Sequence, residues 1–125
     1  MIAQKYRFHG HNSLHFVFAN GQMARSKFFT VKWVANERRH CPRVAVVVSK
    51  KIFKSSVKRN RIRRRVYEIV RPLLADAPTI DVVISVYAAE VLTALHDELA
   101  IQLLPLLHQA GFQARAARQP KSGTS

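Results

Sequence analysis

The chain is poor in cysteine, in acidic residues and in long apolar runs, and each shortage removes a class of protein. A single cysteine, Cys41, excludes an internal disulfide and a cysteine-based zinc site, and it suits a reducing cytoplasm. A membrane helix needs about 18 consecutive apolar residues. The longest uncharged stretch, Leu99 to Ala114, is broken by Gln102, Pro105, His108 and Gln109, so no span is expected. A secretory leader would place an apolar core behind Lys5 and Arg7, where the chain reads His9, Gly10, His11, Asn12. Acids number only 7 against 21 Lys and Arg, a net charge of +14. That excess repels itself unless a polyanion neutralises it, and nucleic acid is the first candidate. With 48% of 125 residues apolar, the chain can still bury the core of one domain.

The charges are segregated. Residues 1–71 hold 18 of the 21 basic side chains and only two acids, Glu37 and Glu68, whereas 72–114 hold five acids and no Lys or Arg. The stretch Lys50 to Arg71 concentrates ten of the cations, at 50, 51, 54, 58, 59, 61, 63, 64, 65 and 71, against Glu68 alone. It is the expected polyanion-binding element.

Hydrophobic spacing supplies the elements. Leu14, Val17 and Phe18 predict a short helix capped by Asn12 or Ser13, ending at Asn20 with Gly21 as its C′ residue. The run Phe28 to Ala35 predicts a half-buried strand, with Phe29, Val31 and Trp33 on one face and Phe28, Thr30 and Lys32 on the other. A turn over Asn36 to Pro42 leads to a second strand, Val44 to Val48, expected to pair antiparallel with the first. Ser55 or Ser56 caps a long helix to about Leu74, stopped by Asp76, Pro78 and Thr79. Ile80 to Tyr87 reads as a buried strand. A last helix from about Glu90 carries Val91, Leu92, Leu95, Leu99, Leu103 and Leu106, with Pro105 expected to kink or end it. The order α-β-β-α-β-α predicts an α+β two-layer sandwich, helices on a small sheet. Residues 1–113 form the expected single RNA-binding domain, and 114–125, rich in Ala, Arg, Gln, Ser and Gly, a disordered basic tail.

The cation-rich helix has two sides. At about 100° per residue from Ile62, the apolar Val66, Ile69, Val70 and Leu73 fall within roughly 80° of it, while Asn60, Arg64, Tyr67 and Arg71 lie about 140–200° away, flanked by Arg61 and Arg63. Arg65 falls beside the apolar stripe. Guanidinium groups grip phosphate with paired N–H bonds, an Asn amide both donates and accepts, and a Tyr ring offers a stacking face, so the outer side suits a structured RNA. A merely solvated helix would intersperse Glu at i, i+4, and only Glu68 is available.

These residues resemble a known family. Arg43-Val-Ala-Val-Val-Val-Ser-Lys-Lys51, followed by Ser56-Val-Lys-Arg-Asn-Arg-Ile-Arg-Arg-Arg-Val-Tyr-Glu68, is similar to the strand ending V-S-K-K and the helix R-N-x-x-[KR]-R-x-x-R-E of the bacterial ribonuclease P protein component. Weaker similarity extends over about residues 6–110. Tyr67 stands where the family usually has Arg, Leu14 where it has Phe and Ala45 where it has Gly. The resemblance implies a mixed sheet with an uncommon left-handed βαβ crossover, against the usual right-handed rule, as in a ribosomal-protein-like domain. It implies a partner for a catalytic RNA that removes the 5′ leader from precursor tRNA, the RNA performing the chemistry and the protein alone inactive. Mg²⁺ would be required by the RNA-containing holoenzyme, with no cofactor on the protein alone, no membrane and no protein partner required. Lys50, Lys51, Lys54, Lys58, Arg59, Asn60, Arg61, Arg63, Arg64, Tyr67, Glu68 and Arg71 would meet RNA. Phe18, Phe28, Lys32, Ser49 and Lys50 would line a cleft for the single-stranded leader, the alternative for Phe28 being core packing against a helix.

Other chemistries fit less well. His11 and His15 are one helical turn apart, with His9 close, yet no carboxylate accompanies them as a third ligand or general base. Asp76, Asp81, Glu90, Asp97 and Glu98 are scattered over a turn, a strand and a helix, so neither a protein-only catalytic centre nor a metal site is expected. A ribosomal or other structured-RNA-binding protein without processing activity shares the size and charge but not the strand-to-helix motif. A DNA-binding basic region is a helix without an apolar back, unlike this one.

Overall fold

The computed structural model describes residues 11–35 and 42–112. Helix α1, His11–Asn20, leads into a hairpin of β1, Gln22–Arg25, and β2, Phe29–Ala35. Then come β3, Arg43–Val48, helix α2, Ser56–Val70, strand β4, Ile80–Val86, and helix α3, His96–Gln109. The expected turn at 36–42 lies outside the described residues except for Pro42, as do the tail and His9.

The sheet order is β1-β2-β4-β3, with β4 antiparallel to β2 and parallel to β3. The expected antiparallel pairing of β2 with β3 is therefore corrected, because β4 lies between them. Six of the seven β4 residues are buried, which suits a strand covered on both faces and flanked on both edges. A parallel neighbour requires a crossover, and α2 supplies it. β1 escapes the sequence pattern because QMAR turns only Ala24 into the core. The α+β class with helices on a small mixed sheet stands, with one strand more than expected.

The strand register sorts the two faces. One carries Phe29, Val31, Trp33, Val44, Val46, Val48, Val82, Ile84 and Val86, which join the apolar sides of α2 and α3 in the main core. On the other, Val17 of α1 packs with Ala45 and Val83 in a much smaller cluster, with Val34 and Val47 partly buried against it. Gly21 joins α1 to the sheet through a close approach and not through a left-handed turn. A Cβ there would stand 2.6 Å from the Val17 carbonyl oxygen and 2.8 Å from that of Trp33.

Helix ends refine the expectations. α1 begins at His11, which puts Asn12 and Ser13 inside its first turn. The Ser55 hydroxyl accepts from the Lys58 amide at 3.3 Å and starts α2. α2 stops at Val70 and tightens into a 3-10 turn over Arg71–Asp76, since Pro72 has no N–H for the next α-type bond. Ala89–Leu92 is likewise a 3-10 turn, so α3 starts six residues later than the periodicity suggests. Pro105 neither ends α3 nor lies against the core. On the solvent side its missing hydrogen bond leaves a carbonyl that water can reach. Gly111, at φ 110°, closes the helix: its amide donates to His108 O at 3.0 Å and the Phe112 amide to Leu107 O at 2.9 Å. This glycine-terminated turn returns Phe112 to the core, where it is 1% exposed.

Candidate nucleic-acid interface

The outer side of α2 is an open basic surface. Ser56, Val57, Asn60, Arg61, Arg63 and Arg64 line a groove of about 500 Å³. Lys50, Lys51, Lys54, Lys58, Arg61, Arg64, Glu68 and Arg71 are exposed, and Arg59, Asn60 and Arg63 are half-buried. Lys58 lies over the Phe53 ring, its Nζ 5.4 Å from the centroid, which steadies the cation at the start of the helix. Glu68 accepts from Arg71 at 3.0 Å, both side chains about half exposed. That pair tempers the repulsion on this side without removing either group from solvent. Among the described residues, the buried Nε of Arg59 has no hydrogen-bond partner.

The turn before α2 is held by Ser49. Its hydroxyl accepts from the Lys51 amide at 3.0 Å and its carbonyl from the Ile52 amide at 3.0 Å, so Lys50 and Lys51 leave the end of β3 in a defined loop. Two residues of the expected face behave differently. Tyr67 is 6% exposed and belongs to the main core, which corrects its assignment as a stacking surface. With Tyr67 the buried side of α2 is wider than its aliphatic stripe, and Leu73 and Leu74 of the 3-10 turn join the same cluster. Arg65 donates to the carbonyls of Val91 at 2.7 Å and Leu92 at 2.9 Å, and also to that of Ala94. Its guanidinium is a clamp on the connection to α3.

A second basic feature lies on the α1 side of the sheet, where Lys32 is half-buried. Lys32 Nζ is 3.4 Å from the Phe18 carbonyl oxygen and 5.1 Å from the centroid of the Phe18 ring, so α1 and β2 bring the two expected cleft residues together. The Phe18 ring remains 40% exposed, and Phe16 and Met23 are exposed nearby in sequence. Ser49 and Lys50 follow β3 four and five residues beyond Ala45, which shares a sheet row with Lys32 through Val83. At the strand rise this is roughly 13 Å along the sheet.

Phe28 is corrected. It is 6% exposed, sits in the main core and packs edge-on to Phe29 at 6.2 Å. It precedes β2 in the hairpin turn, where Ser26 N donates to Phe29 O at 2.8 Å, so the alternation of the strand does not extend to it. Sequence reasoning missed Tyr87, which is 43% exposed just past the end of β4. Its hydroxyl lies 2.7 Å from Ser26 O and 3.2 Å from Phe29 O, which anchors the ring beside the hairpin. The signal was available: an aromatic residue one step beyond a buried strand is positioned by the pleat but no longer covered. At the other end of the same face Arg43 and Asp81, register partners, form a two-point ion pair at 2.9 and 2.8 Å that is largely buried.

Among the described residues no three His, Cys, Asp or Glu side chains converge as they would around a metal ion. The side chains of His11, Leu14 and His15 lie outside the described set. Among the described residues no helix is long and apolar enough to cross a membrane.

Comparison with known proteins points one way. The model of the family described as Ribonuclease P matches residues 2–111. The ribonuclease P protein component of Thermus scotoductus is 41% identical over 93 residues, covering 74% of this chain and 52% of that protein. The chain thus spans about half the length of that relative. The corresponding protein of Blochmanniella floridana is 27% identical over 106 residues, 84% of this chain and 88% of its own length. In fold, the chain is similar to the Staphylococcus aureus RNase P protein, with a TM-score of 0.75 at 20% identity, covering 84% of this chain and 94% of that one.

Proposed function

The chain belongs to the ribonuclease P protein family, and from that premise we propose that it is the protein subunit of ribonuclease P in the cytoplasm, binding the catalytic RNA and assisting removal of the 5′ leader from precursor tRNA. The observation that carries this reading is the division of the basic surface into two places. One is the outer side of α2 with its groove. The other is the α1 side of the sheet, where Lys32 meets Phe18.

The α2 side docks the catalytic RNA. Arg61, Arg63 and Arg64 offer forked donors to phosphates, Asn60 adds an amide, and the lysines before the helix extend the contact. The sheet face takes the single-stranded leader. Phe18 and Tyr87 provide exposed rings for bases, and Lys32 and Lys50 provide cations for the phosphates between them. The chemistry belongs to the RNA, with Mg²⁺ held mostly by its phosphates. The protein supplies fixed cations near the substrate, which lowers the concentration of Mg²⁺ that the complex needs.

Reconstitution tests this. Cleavage of precursor tRNA by the cognate RNA is measured at low Mg²⁺ with and without the full chain, alongside the chain alone. The expected outcome is faster cleavage with the protein and none by the protein by itself. Site-specific cleavage by RNA-free protein, surviving rigorous removal of contaminating nucleases, would overturn the assignment of chemistry to the RNA.

A further inference from the structure

The groove on α2 contains one residue that phosphate binding does not explain. Val57 sits in the first turn, 69% exposed, one turn from Arg61 and two from Arg64. A helix gains nothing from an exposed β-branched side chain at this place, and Ala or Glu would favour the helix more. Around it stand the donors of Ser56, Asn60, Arg61, Arg63 and Arg64. A surface built only to hold a continuous duplex backbone would meet phosphates and ribose hydroxyls, and needs no apolar floor or concavity. An unpaired nucleotide has both a charged and an apolar side. Its base and ribose call for a desolvated surface, its phosphates call for guanidinium groups, and its base edge is within the chemistry of an amide that donates and accepts.

We propose that this groove seats a single unpaired nucleotide of the partner RNA, with Val57 beneath its base or ribose, Arg61 and Arg64 on its flanking phosphates, and Asn60 toward its base edge. The proposal rests on the reading of α2 as the RNA-docking surface and adds the kind of RNA feature it takes. Two contributions to affinity then separate. The guanidinium contacts weaken as salt rises, because they release counterions. The contact with Val57 is dispersive and apolar and does not depend on salt.

The test uses the full chain and two RNA hairpins, one perfectly paired and one identical except for a single unpaired adenosine in the stem. Affinities are measured over a range of salt for the parent, Val57→Ser and Arg64→Ala. The parent is expected to favour the hairpin with the unpaired adenosine by about five- to tenfold, the value of covering part of one aliphatic side chain and a base. Val57→Ser should abolish that preference at every salt concentration while leaving the salt slope unchanged. Arg64→Ala should weaken both hairpins and flatten the slope. Circular dichroism checks that α2 stays folded, and exposed Val57 gives no reason for it to melt. Equal affinity of the parent for the two hairpins overturns the nucleotide seat and leaves the docking surface standing. So does an equal loss on both from Val57→Ser. Affinity and salt slope of Arg64→Ala equal to those of the parent on both hairpins would instead overturn the docking surface itself.

Discussion

Replacing Arg65 by Ala should unfold the protein more easily and leave its electrostatic grip on RNA intact, although Arg65 stands among ten cations in the most basic stretch of the chain. The guanidinium donates to three backbone carbonyls, those of Val91, Leu92 and Ala94, in a partly buried setting. The turn's own amides at Thr93 and Ala94 bond back to Glu90 O, away from these oxygens. Charged hydrogen bonds contribute about 1.5–3 kcal/mol each, but they share one side chain and water partly replaces it on removal, so a total of about 2–4 kcal/mol is expected. For a domain of this size that lowers the melting temperature by roughly 10 °C. Arg64→Ala, at an exposed site, should change stability by no more than about 0.5 kcal/mol. Lys at 65 keeps the charge and loses the fork, so Arg65→Lys should recover only part of the difference. Thermal and urea unfolding of the three variants gives the stability, and titrations with the catalytic RNA well below melting give the salt dependence. Unchanged stability in Arg65→Ala, or a salt slope flattened as far as that of Arg64→Ala, would refute the clamp.

Two further outcomes follow from the site. Five or so phosphate contacts on the α2 side predict a log–log salt slope of roughly −4 for the catalytic RNA, which Arg64→Ala should reduce by about one unit at most. Equal losses from Arg64→Ala and Arg118→Ala, titrated in parallel, would mean that affinity follows total charge and not this surface. Lys32→Ala should weaken precursor tRNA carrying a leader and spare mature tRNA, with the difference fading as salt is added; equal weakening of both would move the leader off this face. Phe28→Ala, once a candidate for the same selective loss, should instead cost about 3–5 kcal/mol of stability, as removal of a buried ring does, and a selective leader defect at full stability would contradict its place in the core.

Much of the architecture was legible in the residues. The stripe of Ile62, Val66, Ile69, Val70 and Leu73 is buried as its spacing requires, and Arg61 and Arg64 are exposed opposite it. Charge segregation and the strand-to-helix motif marked out the basic stretch Lys50 to Arg71, much of which is exposed on and before α2. The position of Arg65 beside the apolar stripe was also readable, although its partners were not. They come from a segment 26 to 29 residues away, and periodicity carries no information about which distant carbonyls will be waiting.

Side-chain chemistry repeated at a fixed local period set where the charge goes, which sides of the helices are apolar and which runs become β2, β3 and β4, while β1 left no such pattern. Tertiary structure decided which strands become neighbours. β4 enters between β2 and β3 and pairs with both, and that is a relation among strands which no single strand encodes. The same packing decided the fate of individual rings. Tyr67 and Phe28 carry aromatic side chains at positions whose local pattern points outward, yet both are buried in the main core. Tyr87 stays in solvent because the pleat that aims it has just run out of cover.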